Sequence, residues 1–372
     1  MDAGLAPLAG RSATTPGVKV VQCAAGASQA HVSVRVWVGV AATPLIPVGS
    51  AWESTAQVTR QWPYLGWFSD KIYYTLIYLL IRMQTCSSFP VPNNLSGTLP
   101  PELGYLDLTA IALEKQRGLY GPLPSTIGKS PYLRSLSILF MAPRLGGILP
   151  SSLFVNPSMV WLTLVENEGT WEFPTTIPST PGTNHSLLGL TMTGMSGTIP
   201  SYIGEFHGLT RVDFPGGSLS GTLPDSIGNL TSLGFLNLHG NKLNGTLPAS
   251  LGRLVGLTAA VFGKNDFQGS LPSWFGSMTS LRLLDLSYNQ FEGTVPATFS
   301  RLASLERVSL QHNANLHGSI APFEPLQRLS SLILYGNHFS STIPAGLFSN
   351  FTGEIFADFG HNNFSVGLTS IN

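Results

Sequence analysis

The feature that most constrains the fold is a short motif, Gly-x-[Ile/Leu/Val]-Pro, that returns at a fixed interval of 24 residues. Its clearest copies begin at Gly197, Gly221, Gly245, Gly269 and Gly293. A fixed period of this length is typical of a stacked array of similar units, not of a globule with one core. The motif copies beyond Asn93 predict about 11–12 such units, here called coils.

Leucines fix the phase of each coil. Leu236 and Leu238 in one coil, and Leu284 and Leu286 in another, alternate with other residues as in a half-buried strand. We therefore expect these leucines to point into the interior. The residues between and beside them, such as Ser287, are expected on the exposed side.

An asparagine follows the strand in most coils. Its amide can donate to and accept from backbone groups that a bend leaves unpaired. Stacked asparagines therefore predict an internal structural ladder, formed by Asn167, Asn241, Asn265, Asn289, Asn313, Asn337 and Asn362. Other residues replace the asparagine in several coils, for example Thr193 and Gly217, so we expect the first half of the array to be less regular.

Composition excludes several functions. The formal net charge is zero and 10% of residues are charged, which argues against nucleic acid as a partner, because phosphate binding needs a basic stripe. No apolar run reaches the roughly 20 residues of a membrane span. Cys23 and Cys86 form neither a metal motif nor a disulfide framework. We predict no metal site and no cofactor.

The full repeat, L-x-x-L-x-L-x-x-N-x-L-x-G-x-[IL]-P, resembles the plant-specific class of leucine-rich repeat. Close copies occupy residues 229–238 and 281–289, and the resemblance extends over 87–372. It implies an α/β repeat fold: a right-handed curved superhelix with a concave parallel sheet and short 3-10 or loop segments on the convex side. Ectodomains of receptor-like kinases, receptor-like proteins and polygalacturonase inhibitors are similar.

Two regions are predicted along the chain. Residues 1–86 form a non-repeat lead-in, partly disordered, with a short capping helix near 72–83. Residues 87–372 form the leucine-rich-repeat array, which we expect to be truncated or uncapped at its C-terminus. The paired cysteines of the family's N-terminal cap are missing from the sequence.

The expected concave face is the candidate binding site. Aromatic side chains and arginine are the usual anchors of interfaces. Reading the positions that flank the strand leucines selects a partner-binding set: Trp161, Arg211, Asp213, Phe235, Asn237, His239, Asp285, Tyr288, Arg307, His312, Tyr335 and Asp358. We expect this face to bind a protein, peptide or glycan, with a co-receptor as a candidate second partner.

No catalytic residues are predicted. The triplet Asp358-Phe359-Gly360 spells the metal-binding motif of protein kinases, but the other kinase motifs are missing from the sequence. Phe359 instead occupies a strand position of the repeat. We therefore expect a non-catalytic recognition module.

Six Asn-x-Ser/Thr sequences predict N-glycosylation: Asn94, Asn184, Asn229, Asn244, Asn350 and Asn363. With the family resemblance, they favour a secreted or cell-surface glycoprotein with a receptor-like role in signal transduction at the membrane. Two alternatives stay open. One is a soluble enzyme inhibitor of the polygalacturonase-inhibitor kind. The other is a cytoplasmic interaction scaffold, because no standard signal peptide follows Met1.

Overall fold

The chain winds through two parallel β-sheets and contributes one strand to each sheet in most coils. The computed structural model describes residues 96–114, 118–139, 145–165, 170–178, 186–349 and 353–365. The predicted lead-in 1–86, its capping helix and both cysteines lie outside the described residues. Their structure stays a prediction.

The larger sheet, here called the front sheet, has 11 strands whose order in space follows their order in the chain. All of its pairings are parallel. The strands are Ala110–Glu114, Ser135–Leu139, Trp161–Val165, Gly189–Met192, Arg211–Asp213, Phe235–Asn237, Ala259–Val261, Leu283–Asp285, Arg307–Ser309, Ser331–Ile333 and Phe356–Asp358.

The second sheet, here called the rear sheet, has 10 strands and contains the Gly-x-[Ile/Leu/Val]-Pro glycines. Its strands are Gly147–Ile148, Trp171–Glu172, Met195–Thr198, Ser218–Thr222, Lys242–Gly245, Asp266–Ser270, Gln290–Gly293, Asn315–Gly318, His338–Thr342 and Asn363–Ser365. A separate parallel pair, Ser96–Gly97 with Gly118–Leu119, precedes it in the chain.

Short 3-10 helices connect the rear strand of one coil to the front strand of the next. They are Pro101–Tyr105, Ile127–Lys129, Ser151–Leu153, Ser201–Glu205, Asp225–Asn229, Ala249–Arg253, Ser273–Ser277, Ala297–Arg301 and Ala321–Phe323. Most begin directly after a proline, which stands in extended backbone at the N-cap. None of the helices in the described part of the chain is long and apolar enough to cross a membrane.

The core runs through the coils as one continuous cluster of buried apolar side chains. Leu284 and Leu286 are fully buried, and so are their counterparts two coils earlier, Leu236 and Leu238. The predicted phase of the leucines is therefore confirmed. So is the fold, an α/β leucine-rich-repeat solenoid with a parallel sheet.

The asparagine ladder is present in the six coils for which the structure describes it. In a typical rung, Asn289 Nδ2 donates to the carbonyl oxygens of Phe262 at 3.0 Å and Leu286 at 3.2 Å. Its Oδ1 accepts the Phe267 amide at 3.0 Å. Each amide therefore joins its own coil to the one before it. The six rungs are Asn241, Asn265, Asn289, Asn313, Asn337 and Asn362, whereas Asn167 lies outside the described residues.

Gly217 shows why one coil lacks the asparagine. A Cβ at Gly217 would lie 2.8 Å from Oδ1 of Asn241 and would also meet the backbone of Met195. No side chain fits there. Asn241 of the next coil still serves this turn, because its Oδ1 accepts the Leu219 amide at 3.1 Å.

Candidate binding face

All twelve residues selected for partner binding lie on the front sheet or in the turns that follow its strands. Eight are strand residues: Trp161, Arg211, Asp213, Phe235, Asn237, Asp285, Arg307 and Asp358. Four lie in the turns: His239, Tyr288, His312 and Tyr335. That they contact a partner stays a prediction. The structure divides them into a group with polar contacts, an aromatic ladder and three further positions, Trp161, Arg307 and Asp358.

The polar network joins two neighbouring coils, those of the strands Arg211–Asp213 and Phe235–Asn237. Arg211 forms an ion pair with Asp213 and stacks on the Phe235 ring, with its guanidinium carbon 3.9 Å from the ring centroid. Asn237 Nδ2 donates to the other oxygen of Asp213 at 2.9 Å. Asp213 is 8% exposed, so it holds its neighbours in place and offers little surface of its own.

Asp285 organises the next part of the face. Its Oδ1 accepts both the amide of Ser287 at 3.0 Å and the Ser287 hydroxyl at 2.6 Å, and its Oδ2 lies 3.7 Å from His239 Nδ1. Ser287 is 3% exposed, so the expectation that it lies on the exposed side is wrong. Its hydroxyl turns back onto the carboxylate of Asp285 instead of projecting from the sheet.

An aromatic ladder follows along the turns of the last four coils. The rings of Tyr288 and His312 stack with centroids 4.4 Å apart and planes at 27°. Tyr335 meets His312 edge-on at 5.2 Å and His361 at 4.7 Å. Lys264 Nζ lies 5.7 Å from the Tyr288 ring centroid and extends the ladder by one cation.

Most residues of the ladder have a left-handed backbone conformation, with positive φ. Lys264, Tyr288, His312 and His361 have φ between 52° and 56°. This conformation costs a residue with a Cβ about 1–2 kcal/mol. The equivalent position in other coils is glycine, which adopts it freely: Gly194, Gly216, Gly240 and Gly336. Among the described residues, side chains occupy this strained position at Lys264, Tyr288, His312 and His361, all of which belong to the ladder. Retained strain of this kind clusters at functional sites.

A shallow depression of about 440 Å³ lies between the network and the ladder. Lys264, Tyr288 and Arg307 stand on its sides, and Leu283 and Ile333 contribute apolar surface to it. Elsewhere on the sheet, Trp161 is 42% exposed and lies flat against the backbone of Gly189, where any Cβ would collide with its ring. Asp358 accepts the amide of Gly360 at 3.0 Å.

Other chemistry is sparse. Within the described ranges, no group of three or more His, Cys, Asp or Glu side chains could hold a metal ion. Asp358 ends a front-sheet strand and Phe359 packs against the core, as the repeat phase predicts for the Asp-Phe-Gly triplet.

Away from this face, burial raises the pKa of the Tyr202 phenol, whose hydroxyl donates to the Pro174 carbonyl at 2.8 Å.

Three predicted glycosylation sites are described, and all three asparagines are exposed. Asn229 ends a 3-10 helix, whereas Asn244 and Asn363 lie in rear-sheet strands. None lies in a front-sheet strand. Asn94, Asn184 and Asn350 lie outside the described residues, and glycosylation at all six stays a prediction.

Lys264 belongs to the ladder but not to the predicted partner-binding set. A signal for it existed, because Lys264 directly precedes Asn265 just as Tyr288 precedes Asn289 and His312 precedes Asn313. The side-chain contacts within the ladder, in contrast, depend on rotamers that no repeat pattern specifies.

Comparison with known proteins agrees with the repeat fold described above. The leucine-rich-repeat family models match residues 263–314 and 232–254. These are leucine-rich repeats of the plant type. The leucine-rich-repeat array is similar to the plant peptide hormone receptor RGFR1 in complex with RGF2, with a TM-score of 0.64 and 25% identity over 74% of this chain. It is also similar to the ectodomain of the Arabidopsis receptor kinase HAESA in complex with an IDA peptide hormone, with a TM-score of 0.62 and 28% identity over 73% of this chain.

The chain spans about half of each receptor structure, 47% of RGFR1 and 45% of HAESA. A bacterial leucine-rich-repeat protein, LIC12759 of Leptospira interrogans, shares the fold at 22% identity, with a TM-score of 0.51 over 73% of this chain and 71% of its own. No curated protein sequence matches the chain.

Proposed function

We propose that this chain is a non-catalytic recognition module that holds a peptide or protein segment on its front sheet. The observation that carries the proposal is the aromatic ladder from Tyr288 to His361, because its left-handed residues occupy positions where other coils have glycine. Strain that glycine would remove is retained where it places aromatic and basic side chains on one rigid face. The peptide hormones in the RGFR1 and HAESA structures support this class of partner.

The proposal includes an extracellular or cell-surface location and a receptor-like role in signal transduction, with a co-receptor as a further partner. Exposed sequons at Asn229, Asn244 and Asn363 support it, because glycans on the 3-10 helices and the rear sheet leave the front sheet free. Glycan ligands, the polygalacturonase-inhibitor function and the cytoplasmic scaffold stay alternative predictions. A panel of pectinases and the glycan content of the native protein test the last two.

Peptide selection followed by point substitution tests the main proposal. Peptides that bind the folded chain are selected from a random 12-residue library, and their affinities are measured by calorimetry. Tyr288→Ala and Tyr335→Ala are each expected to weaken binding by 1–2 kcal/mol, which is typical of an aromatic anchor and corresponds to about 5- to 30-fold.

The matched control is Tyr132→Ala, since Tyr132 is 55% exposed and lies outside the front sheet. It should leave the affinities unchanged. Selected peptides whose affinity is indifferent to Tyr288, Tyr335 and Phe235 would place the binding surface elsewhere. Failure to select any binding peptide would count against the function itself.

A further inference from the structure

We propose that the front sheet carries a second binding site, centred on Trp161, that takes a neutral sugar unit of a glycan. This inference goes beyond the proposed function, because the site lies away from the aromatic ladder and does not need a peptide. The strand of Trp161 precedes Leu283–Asp285, whose turn holds Tyr288, by five strands in the front sheet. That separation is roughly 24 Å at about 4.8 Å per strand.

The indole of Trp161 lies along the sheet instead of projecting from it. Trp161 pairs with Gly189 on the next strand. A Cβ at Gly189 would lie 2.0 Å from Cζ3 and 2.2 Å from Cε3 of the indole, so the ring occupies the space of the side chain that Gly189 lacks. Trp161 is nevertheless 42% exposed. The glycine therefore lets the indole present a broad apolar surface to solvent.

The side chains around the indole are small and uncharged. On the first four strands of the front sheet, the two outward-facing rows that include Trp161 and Gly189 also contain Ala110, Ala112, Ser135, Ser137, Thr163 and Thr191. The two serines and the two threonines are partly exposed. A charged partner would lose hydration on these rows without meeting an opposite charge, which is costly. The surface therefore favours a neutral partner.

A pyranose ring matches such a surface. Its C–H groups form an apolar face that stacks on an aromatic ring, and its hydroxyls surround that face. The serine and threonine hydroxyls can each donate and accept a hydrogen bond, as sugar hydroxyls do. A peptide side chain, in contrast, anchors best in a pocket that excludes water, and the small neighbours of Trp161 provide no walls for one. An exposed indole among low hydroxyl groups thus favours a sugar.

Arg211 supplies a fixed donor on the far side of Gly189, with which it pairs in the front sheet. Its ion pair with Asp213 compensates its charge, and its stacking on the Phe235 ring restrains the guanidinium. The ion pair engages one Nη atom, so other N–H groups of the five remain to donate to sugar oxygens. A donor held in place before binding loses little entropy. Arg211 can therefore bind the sugar unit next to the one stacked on Trp161.

Uncharged oligosaccharides test the inference. Hexasaccharides of β-1,4-linked glucose, xylose, mannose and galactose are titrated into the folded chain, and binding is followed by saturation-transfer NMR and calorimetry. We expect at least one of them to bind. Its affinity should not change when salt is raised from about 0.05 to 0.5 M, because the sugar has no charge to be screened.

Trp161→Ala should weaken this binding about tenfold or more, as the loss of a tryptophan anchor typically does. Gly189→Ala should also weaken it, because the added methyl group displaces an indole that is still present. Trp161→Tyr keeps an aromatic face and should retain part of the affinity. The matched control is Tyr132→Ala, at an exposed position outside the front sheet, which should leave the affinity unchanged. Denaturant unfolding checks that each variant is folded.

Absence of binding by every hexasaccharide at millimolar concentration would overturn the inference, and so would binding that Trp161→Ala leaves unchanged. If no sugar binds but the selected peptides lose affinity in Trp161→Ala, the indole belongs to the peptide surface and the proposed function stands alone. If a sugar binds through Trp161 and is indifferent to Tyr288→Ala, the sugar site stands even when no peptide can be selected. The two proposals can therefore fail separately.

Discussion

At the residue scale, the asparagine after a front strand connects one coil to the coil before it, in the six coils where the structure describes it. Its amide satisfies three kinds of backbone group: a carbonyl of its own coil, a carbonyl of the preceding coil and an amide of the preceding coil. Asn289 is 7% exposed and Phe267, whose amide it accepts, is fully buried. Water cannot easily replace these hydrogen bonds because their backbone partners are buried. The Asn289 side chain therefore stabilises the fold by satisfying those backbone groups.

We expect Asn289→Ala to lower the free energy of unfolding by about 2–3 kcal/mol, because it leaves buried backbone groups without partners. Denaturant unfolding measures the loss, and faster amide exchange at Phe267 would locate it. Asn315→Ala is the matched control, since Asn315 is exposed in the rear sheet and should change stability by less than about 0.5 kcal/mol. Equal effects of the two substitutions would contradict the role of the ladder.

At the element scale, the rear strand of most described coils contains a glycine with left-handed backbone. Gly293 has φ of 79°, and in the next coil but one Ser341 adopts φ of 84° at the equivalent place. The cost of this conformation for a residue with a Cβ is about 1–2 kcal/mol. Ser341 is therefore a strained position in an otherwise regular element.

Exchanging the two residue types tests this assignment. Gly293→Ser should destabilise the chain by roughly 1 kcal/mol or more, although a Cβ there would meet only Ser270 Oγ at 3.6 Å, so backbone strain dominates. Ser341→Gly should stabilise it by a smaller amount, because glycine's greater freedom in the unfolded chain offsets about 0.5–1 kcal/mol of the gain. Thermal unfolding measures both. The same sign for the two changes would show that φ is not the deciding factor.

At the scale of the whole molecule, each front strand that the structure describes pairs with the strands of the coils before and after it in the chain. The 11 strands of the front sheet follow each other in chain order. A change in the packing of one coil should therefore destabilise that coil and its direct neighbours more than distant coils. Stability is then a sum of contributions from coils and from the interfaces between them, in contrast to a globule with a single core.

Leu286→Ala should cost about 2–5 kcal/mol, because Leu286 is fully buried and the substitution leaves a cavity between coils. Hydrogen exchange should show reduced protection in Leu283–Asp285 and in the adjacent strands Ala259–Val261 and Arg307–Ser309. The distant strand Ser135–Leu139 should keep its protection. Val255→Ala, at a position that is 53% exposed, is the control. Uniform loss of protection along the array would contradict nearest-neighbour stability.

The fold could be predicted from the sequence because many copies of the repeat show the same pattern of leucine, asparagine, glycine and proline. The leucine phase, the asparagine ladder and the placement of twelve residues in the front sheet or in the turns after its strands all follow from a period that is set by stacking. The burial of Ser287 was not predictable from alternation, because it depends on a hydrogen bond to Asp285. The aromatic ladder and the position of Lys264 over the Tyr288 ring depend on contacts between coils, which a pattern within one coil does not contain.

The direction of the asparagine bonds has a consequence for how such a chain can change its length. Because each amide completes the turn before it, a gene segment that encodes one whole coil can be copied or removed without leaving an interior turn incomplete. Tandem duplication would then lengthen the molecule in steps of one strand spacing and would deliver new outward-facing side chains with every step. Diversity in what is recognised could arise by recombination between coils, with the scaffold unchanged.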